Sequence, residues 1–217
     1  MIHICDNFFK DPYNIRSIAL NQKYECGDYW PGFRERYVVE QKNASAGRNL
    51  NLYPLRMNNV ALEYVLPSIQ RLTKNPNLMI DTSSFQYVTA DYGEGAFHSD
   101  SPNLYTCIIF LSPNPPNYSG TEICDNHPDS ENGYLSQKYW NDMRSSKGLF
   151  YKDTGNRLNR YRYDRLRKKF MDKNKPIIKV PNKFNRMLLF DSFLYHRAQK
   201  FFGTSLSNSR LTLVTFF

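Results

Sequence analysis

The chain has 217 residues, enough for one domain with a sizeable core, and its hydrophobic content is too dispersed to supply a run of membrane-spanning length. Aromatic residues make up 15%, with 16 Tyr and 15 Phe, a bias that favours strands over a helical bundle. The net charge of +9 is uneven: Arg144 to Arg186 hold fifteen Lys or Arg against three acids, which is +12 there and leaves −3 for the remainder.

The opening Met1-Ile2-His3-Ile4-Cys5 reads as a short strand, with no basic region ahead of a long apolar stretch, so no membrane insertion and a cytoplasmic location are expected. Asp11 then stands where it can cap a helix, and Pro12 fits the first helical position; the helix is expected to run to about Gln22. Tyr29 to Arg34 read as an aromatic loop or turn around Pro31-Gly32. From Arg56 to Leu72 the apolar residues Val60, Leu62, Val65, Leu66, Ile69 and Leu72 predict a second helix, bent near Pro67.

From Ser83 the pattern turns to β. Ser84 to Ala90 alternates as a strand, Tyr92-Gly93-Glu94-Gly95 forms a turn, and Tyr105 to Leu111 reads as a buried strand ended by Ser112-Pro113. Ser119 to Cys124 is a short strand. A polar segment of about 125–175 then interrupts the pattern, with helices expected near 135–145 and 158–171. The β signal resumes at Pro176 to Val180, Phe184 to Phe190 and Ser209 to Phe217. Many short strands divided by turns predict one mainly β domain over 1–217, a sandwich or jelly roll with an inserted segment at 125–175. The two leading helices would cover one sheet from outside. Cys5, Cys26, Cys107 and Cys124 have no close spacing, which points to reduced packing residues and away from a zinc cluster or disulfide framework.

The chemistry is concentrated in two places. In Phe97-His98-Ser99-Asp100 an imidazole and a carboxylate stand two residues apart, so in extended backbone both reach into one space. Two histidines and one carboxylate with open positions form the ligand set of non-haem Fe(II) oxygenases, and His196, just after a strongly apolar strand, is the candidate for the second histidine. Arg210 and Thr212 share a face of the last strand. A buried arginine needs an anion, and its planar fork suits a carboxylate; a glutamate on a neighbouring strand and a bound organic diacid are both open at this point.

In this order and context the residues resemble the Fe(II)- and 2-oxoglutarate-dependent oxygenases, especially the prolyl-hydroxylase-like branch. The resemblance rests on Tyr92-Gly93, His98-Ser99-Asp100, the strand Thr106 to Leu111, Ser119-Gly120-Thr121, the strand Arg186 to Phe190, His196 and Arg210-Leu211-Thr212. It implies a double-stranded β-helix core in which His98, Asp100 and His196 bind Fe(II). Arg210, helped by Thr212, would hold the distal carboxylate of 2-oxoglutarate, with Tyr92 beside the cosubstrate. It further implies O2-dependent conversion of 2-oxoglutarate to succinate and CO2, with ascorbate as an auxiliary reductant, and hydroxylation of a protein side chain, an amino acid or another small molecule. Phe110 stands where some relatives carry a tyrosine that also contacts the carboxylate, so one hydrogen bond is missing here.

The basic stretch carries a reading of another class. Arg157, Arg160, Arg162, Arg165, Arg167, Lys168 and Lys169, interleaved with Tyr161 and Tyr163, suit a nucleic acid or an acidic partner along 144–186, with or without oxygenase activity. A solvated helical face explains the same residues.

Overall fold

The computed structural model describes residues 1–26, 31–36, 58–95, 97–124 and 176–217. The helices expected near 135–145 and 158–171, and the basic cluster from Arg157 to Lys169, lie outside these residues.

Among the described residues ten strands form two antiparallel sheets. The larger takes β1 (Ile2–Cys5), β8 (Met187–Asp191), β5 (Tyr105–Phe110), β10 (Arg210–Phe216), β4 (Thr82–Val88), β3 (Phe33–Glu35) and β2 (Tyr24–Cys26), in that spatial order. The smaller takes β7 (Pro176–Val180), β6 (Thr121–Cys124) and β9 (His196–Ala198). From β1 to β4 the large sheet joins strands far apart in sequence, and from β5 to β10 the chain switches between the two sheets, as in a jelly roll.

Strand β10 shows how the layers are specified. Leu211 and Leu213 point one way, into a core built with Phe85, Ile109, Leu189 and the helical residues Ile15, Ala19, Val65 and Ile69. Arg210 and Thr212 therefore point the other way, towards the small sheet. There a second core of Ile108, Phe110, Leu188 and Phe190 meets Ile123 and Val180. The expected helical cover is thus present on the outer face of the large sheet.

Helix α1 (Pro12–Leu20) begins as predicted, the Asn14 amide donating to Asp11 Oδ1 at 3.0 Å with Pro12 in the first turn. It stops two residues earlier than expected, at Asn21, whose amide side chain bonds back to the Ser17 carbonyl. The second helix is a π-helical turn (Ala61–Val65) running into α2 (Leu66–Thr73). Pro67 lacks an N–H and crowds the preceding turn, and the widened turn immediately before it absorbs that misfit where a simple bend was expected.

The aromatic loop reading needs correction at Phe33 and Arg34, which lie in β3 and pair with Tyr87 and Gln86 of β4. Among the described residues of that stretch Pro31-Gly32 keeps turn character, while Tyr29 and Trp30 lie outside them. Gly32 has φ +78°, and a Cβ there would sit 2.3 Å from the Tyr87 carbonyl oxygen, so this tight approach requires glycine. Phe33 stacks on Tyr87 at 4.7 Å, and three residues are too few for alternation to reveal such a strand. None of the four cysteines is in a disulfide, and no described helix is long and apolar enough to cross a membrane.

Candidate metal centre

His98 and His196 face each other across two backbone hydrogen bonds. The amide of each donates to the carbonyl of the other at 3.0 and 2.9 Å, and their rings lie 4.3 Å apart between centroids. Asp100 follows two residues after His98, tied by its amide to the Ser192 carbonyl at 2.8 Å. One ligand atom from each of His98, Asp100 and His196 falls within 4.8 Å of the others. The three residues predicted from the sequence are therefore brought together.

His196 and Asp100 are each held by a partner. Nδ1 of His196 lies 3.0 Å from the Leu194 carbonyl, which can only accept, so Nδ1 carries the hydrogen. In the neutral ring Nε2 then presents its lone pair to the site, 3.2 Å from Asp100 Oδ2. Phe190 packs edge-on against the same imidazole at 4.5 Å. Asp100 Oδ2 also accepts from the Thr106 hydroxyl at 2.7 Å, and the Ser192 hydroxyl lies 2.8 Å from Thr106. Since Thr106 has one hydroxyl proton and gives it to the carboxylate, Ser192 donates to Thr106.

Burial alone would push the Asp100 carboxyl up. In the metal-free site the charge of protonated His196 and His98 rings, the hydrogen bond from His196 and the Thr106 hydroxyl outweigh burial and hold it well below the usual carboxylate range. With a metal ion in place of those ring protons, the same groups offer two imidazole nitrogens and an ionised oxygen. His196 is nearly enclosed, its side chain 5% exposed, whereas His98 is 33% exposed and forms the open side. That donor set fits a divalent first-row metal, with one side left for other ligands.

Arg210 is buried between the sheets. Its Nε donates to the Ser119 carbonyl and its Nη2 to the Thr121 hydroxyl, both at 3.3 Å, and the guanidinium stands 5.4 Å over the Phe110 ring. Among the described residues no carboxylate lies within ion-pair distance of it, which removes the neighbouring-glutamate alternative there. Burial pulls its pKa down to about 10. Thr212 is fully buried on the same face, with its hydroxyl 3.4 Å from the Gln86 carbonyl oxygen. Tyr92 ends a 3-10 turn, Ala90–Tyr92, and its hydroxyl lies 3.6 Å from Cys26 Sγ at the sheet edge.

Sequence reasoning missed Thr106, Ser192 and the Leu194 carbonyl. Thr106 lies six residues from Asp100 and Ser192 eighty-six from Thr106, so only the folded register unites them. It also missed an ion network behind His196. Arg197 donates from Nε to Glu122 Oε2 at 2.7 Å and from Nη1 to Glu94 Oε2 at 3.0 Å. Burial pushes Glu122 up, but its hydrogen bond and charge contact with Arg197 prevail and lower it.

No protein-family model matches the sequence, and no curated protein matches it. Solved structures do. A prolyl hydroxylase from Trichoplax adhaerens, in complex with a hypoxia inducible factor oxygen degradation domain peptide fragment, matches at 13% identity and TM-score 0.48, over 100% of this chain and 83% of its own. AviO1 from Streptomyces viridochromogenes Tue57 matches at 12% identity and TM-score 0.52, over 99% and 88%. HygX from Streptomyces hygroscopicus, solved with nickel and 2-oxoglutarate bound, matches at 10% identity and TM-score 0.51, over 99% and 81%. By its likeness to AviO1 and HygX the chain has their jelly-roll fold, the fold implied by its resemblance to the Fe(II)- and 2-oxoglutarate-dependent oxygenases.

Proposed function

We propose that this protein is an Fe(II)- and 2-oxoglutarate-dependent dioxygenase that hydroxylates a protein side chain, an amino acid or another small molecule, releasing succinate and CO2. The observation that carries this reading is the pairing of two features in one inter-sheet space: the His98–Asp100–His196 triad, and a buried Arg210 with no described carboxylate partner. Their spacing fits the diacid. His196 is opposite Ile123 in the small sheet, and Thr121, which bonds Arg210, is one two-residue step further along β6. Such a step is about 7 Å, and a five-carbon chain extends about 5 Å between its ends.

In this reading His98, Asp100 and His196 hold the metal. Thr106 and Ser192 fix the carboxylate that anchors it, and the Leu194 carbonyl fixes the His196 tautomer. Fe(II) in this triad supplies O2-dependent oxidation of a C–H bond, driven by decarboxylation of 2-oxoglutarate. Arg210 and the Thr212 hydroxyl hold the distal carboxylate, orienting the diacid towards the metal, and Tyr92 has a secondary place beside it. Phe190 and Phe110 keep water from the inner end of the site, so the charge of Arg210 acts in a low-dielectric surrounding. Phe110, lacking a hydroxyl, leaves Arg210 as the dominant anchor.

Purified protein given Fe(II), ascorbate and 2-oxoglutarate is expected to form succinate slowly without a primary substrate. His196→Ala is expected to abolish that formation while the chain stays folded. Succinate formation that is absent in the wild-type protein, or unchanged in His196→Ala, would contradict the assignment.

A further inference from the structure

Strand β9 alternates, so His196 points into the inter-sheet space and Arg197 must point to the outer face of the small sheet. An outward arginine is ordinarily solvated. This one is only 10% exposed, and its partner Glu122 5%. The guanidinium joins both neighbours of β9. On one side Glu122 of β6, its register partner, receives Nε at 2.7 Å and Nη2 at 2.6 Å. On the other side Glu94, which precedes the ligand motif, receives Nη1 at 3.0 Å, and the Phe97 ring lies 4.8 Å beneath the guanidinium.

Glu94 and Phe97 belong to the short stretch that delivers His98. Among the described residues this stretch is paired to the β9 region through the Phe201 amide on the Gly93 carbonyl, the Glu94–Lys200 bridge, the Gly95 amide on the Ala198 carbonyl, and the His98–His196 exchange. Between the two bridges Arg197 adds a side-chain connection. Lys179 Nζ and Gln199 Nε2 reach the other oxygen of Glu122, both at 3.3 Å, so two carboxylates face two cations and the cluster is balanced.

We propose that Arg197 is a positioning residue for the metal centre, using Glu122 as a fixed anchor and Glu94 as a handle to set the distance of His98 from His196. This rests on the metal reading of the triad. The planar fork holds Glu122 through Nε and Nη2 while Nη1 holds Glu94; lysine keeps the charge but, as a single nitrogen, cannot reproduce the three separated contacts. Loss of the fork leaves His98, on the open side of the site, free to drift from a geometry that a metal requires to within a few tenths of an ångström.

The test is a Co(II) titration of the wild-type chain, Arg197→Lys, Glu94→Gln and a distal control, Asp6→Asn, each with its unfolding midpoint measured after chelation. Asp6 bonds Arg186 and Lys183 on the surface, so the control perturbs an ion cluster unconnected to the ligands. Arg197→Lys is expected to weaken Co(II) binding about 10- to 100-fold, the usual effect of losing a partner that orients metal ligands, and Glu94→Gln somewhat less. Metal-free midpoints should stay near wild type in Glu94→Gln and the control. Unchanged Co(II) affinity in both Arg197→Lys and Glu94→Gln would overturn the positioning role while leaving the metal site intact. An affinity loss matched by equal loss of metal-free stability would also overturn it. Failure of the wild-type chain to bind Co(II) would instead remove the metal reading and this inference with it.

Discussion

The two faces of β10 divide the labour of the molecule. On the outer face Leu211 and Leu213 are fully buried against α1 and α2, in a layer made almost wholly of aliphatic and aromatic groups. On the inner face Arg210 and Thr212 are just as buried, yet they are a cation and a hydroxyl with poor or long hydrogen bonds. Equal burial therefore has opposite meanings. The apolar face contributes stability, whereas the polar face carries a desolvation cost that a bound anion would offset.

The largest stability effect is expected on the outer face. Leu211→Ala should cost about 2–5 kcal/mol in denaturant unfolding, because neighbouring strands and helices cannot collapse onto the vacated volume. Its effect on 2-oxoglutarate binding should follow only from the fraction unfolded. Arg210→Met inverts that pattern. Stability should hold or rise, since a buried cation without a described carboxylate partner is replaced by an apolar chain, while the KM for 2-oxoglutarate rises on the order of 100-fold. A destabilised Arg210→Met with unaltered KM would erase the distinction between the faces.

A finer division runs through Thr106, which supports Asp100 without itself being a ligand. Thr106→Val keeps the shape and removes the donor, so metal affinity should fall about 10- to 100-fold with a far smaller change in stability than Leu211→Ala. Titration with Co(II) separates the two quantities. The smallest effect belongs to the surface cluster of Asp6. Hydrogen bonds from Arg186 and Lys183 lower its pKa, against a smaller opposing effect of burial. Because the folded value is depressed, its contribution is present above the unfolded carboxylate pKa near 3.9 and is lost as pH falls through the folded value. Asp6→Asn should therefore reduce stability by no more than about 1 kcal/mol at neutral pH and flatten its decline in acid, as measured by unfolding midpoints across pH.

Legibility in the sequence follows the same division. Period-two alternation in a seven-residue strand is enough to put Leu211 and Arg210 on opposite faces, and the spacing of His98 and Asp100 puts those two on one face. Strands of three residues carry no such period, which is why Phe33-Arg34 read as a loop and β9 shows only as an isolated histidine. Arg197 is obscured for another reason. Its partners Glu94 and Glu122 lie 103 and 75 residues away, and nothing local marks them as a cluster. The metal ligands are readable because their chemistry is specific; their supports are not, because serine, threonine and glutamate are common and become informative only through register.

The central claim, that one inter-sheet space holds both a metal and a diacid, is tested most directly by a crystal structure of the chain soaked with Ni(II) and 2-oxoglutarate, using anomalous scattering to locate the metal. The account predicts one ion bound by His98, Asp100 and His196, with a diacid chelating it and its far carboxylate on Arg210 and Thr212. A metal bound elsewhere, or a diacid that leaves Arg210 untouched while the triad is filled, would contradict it.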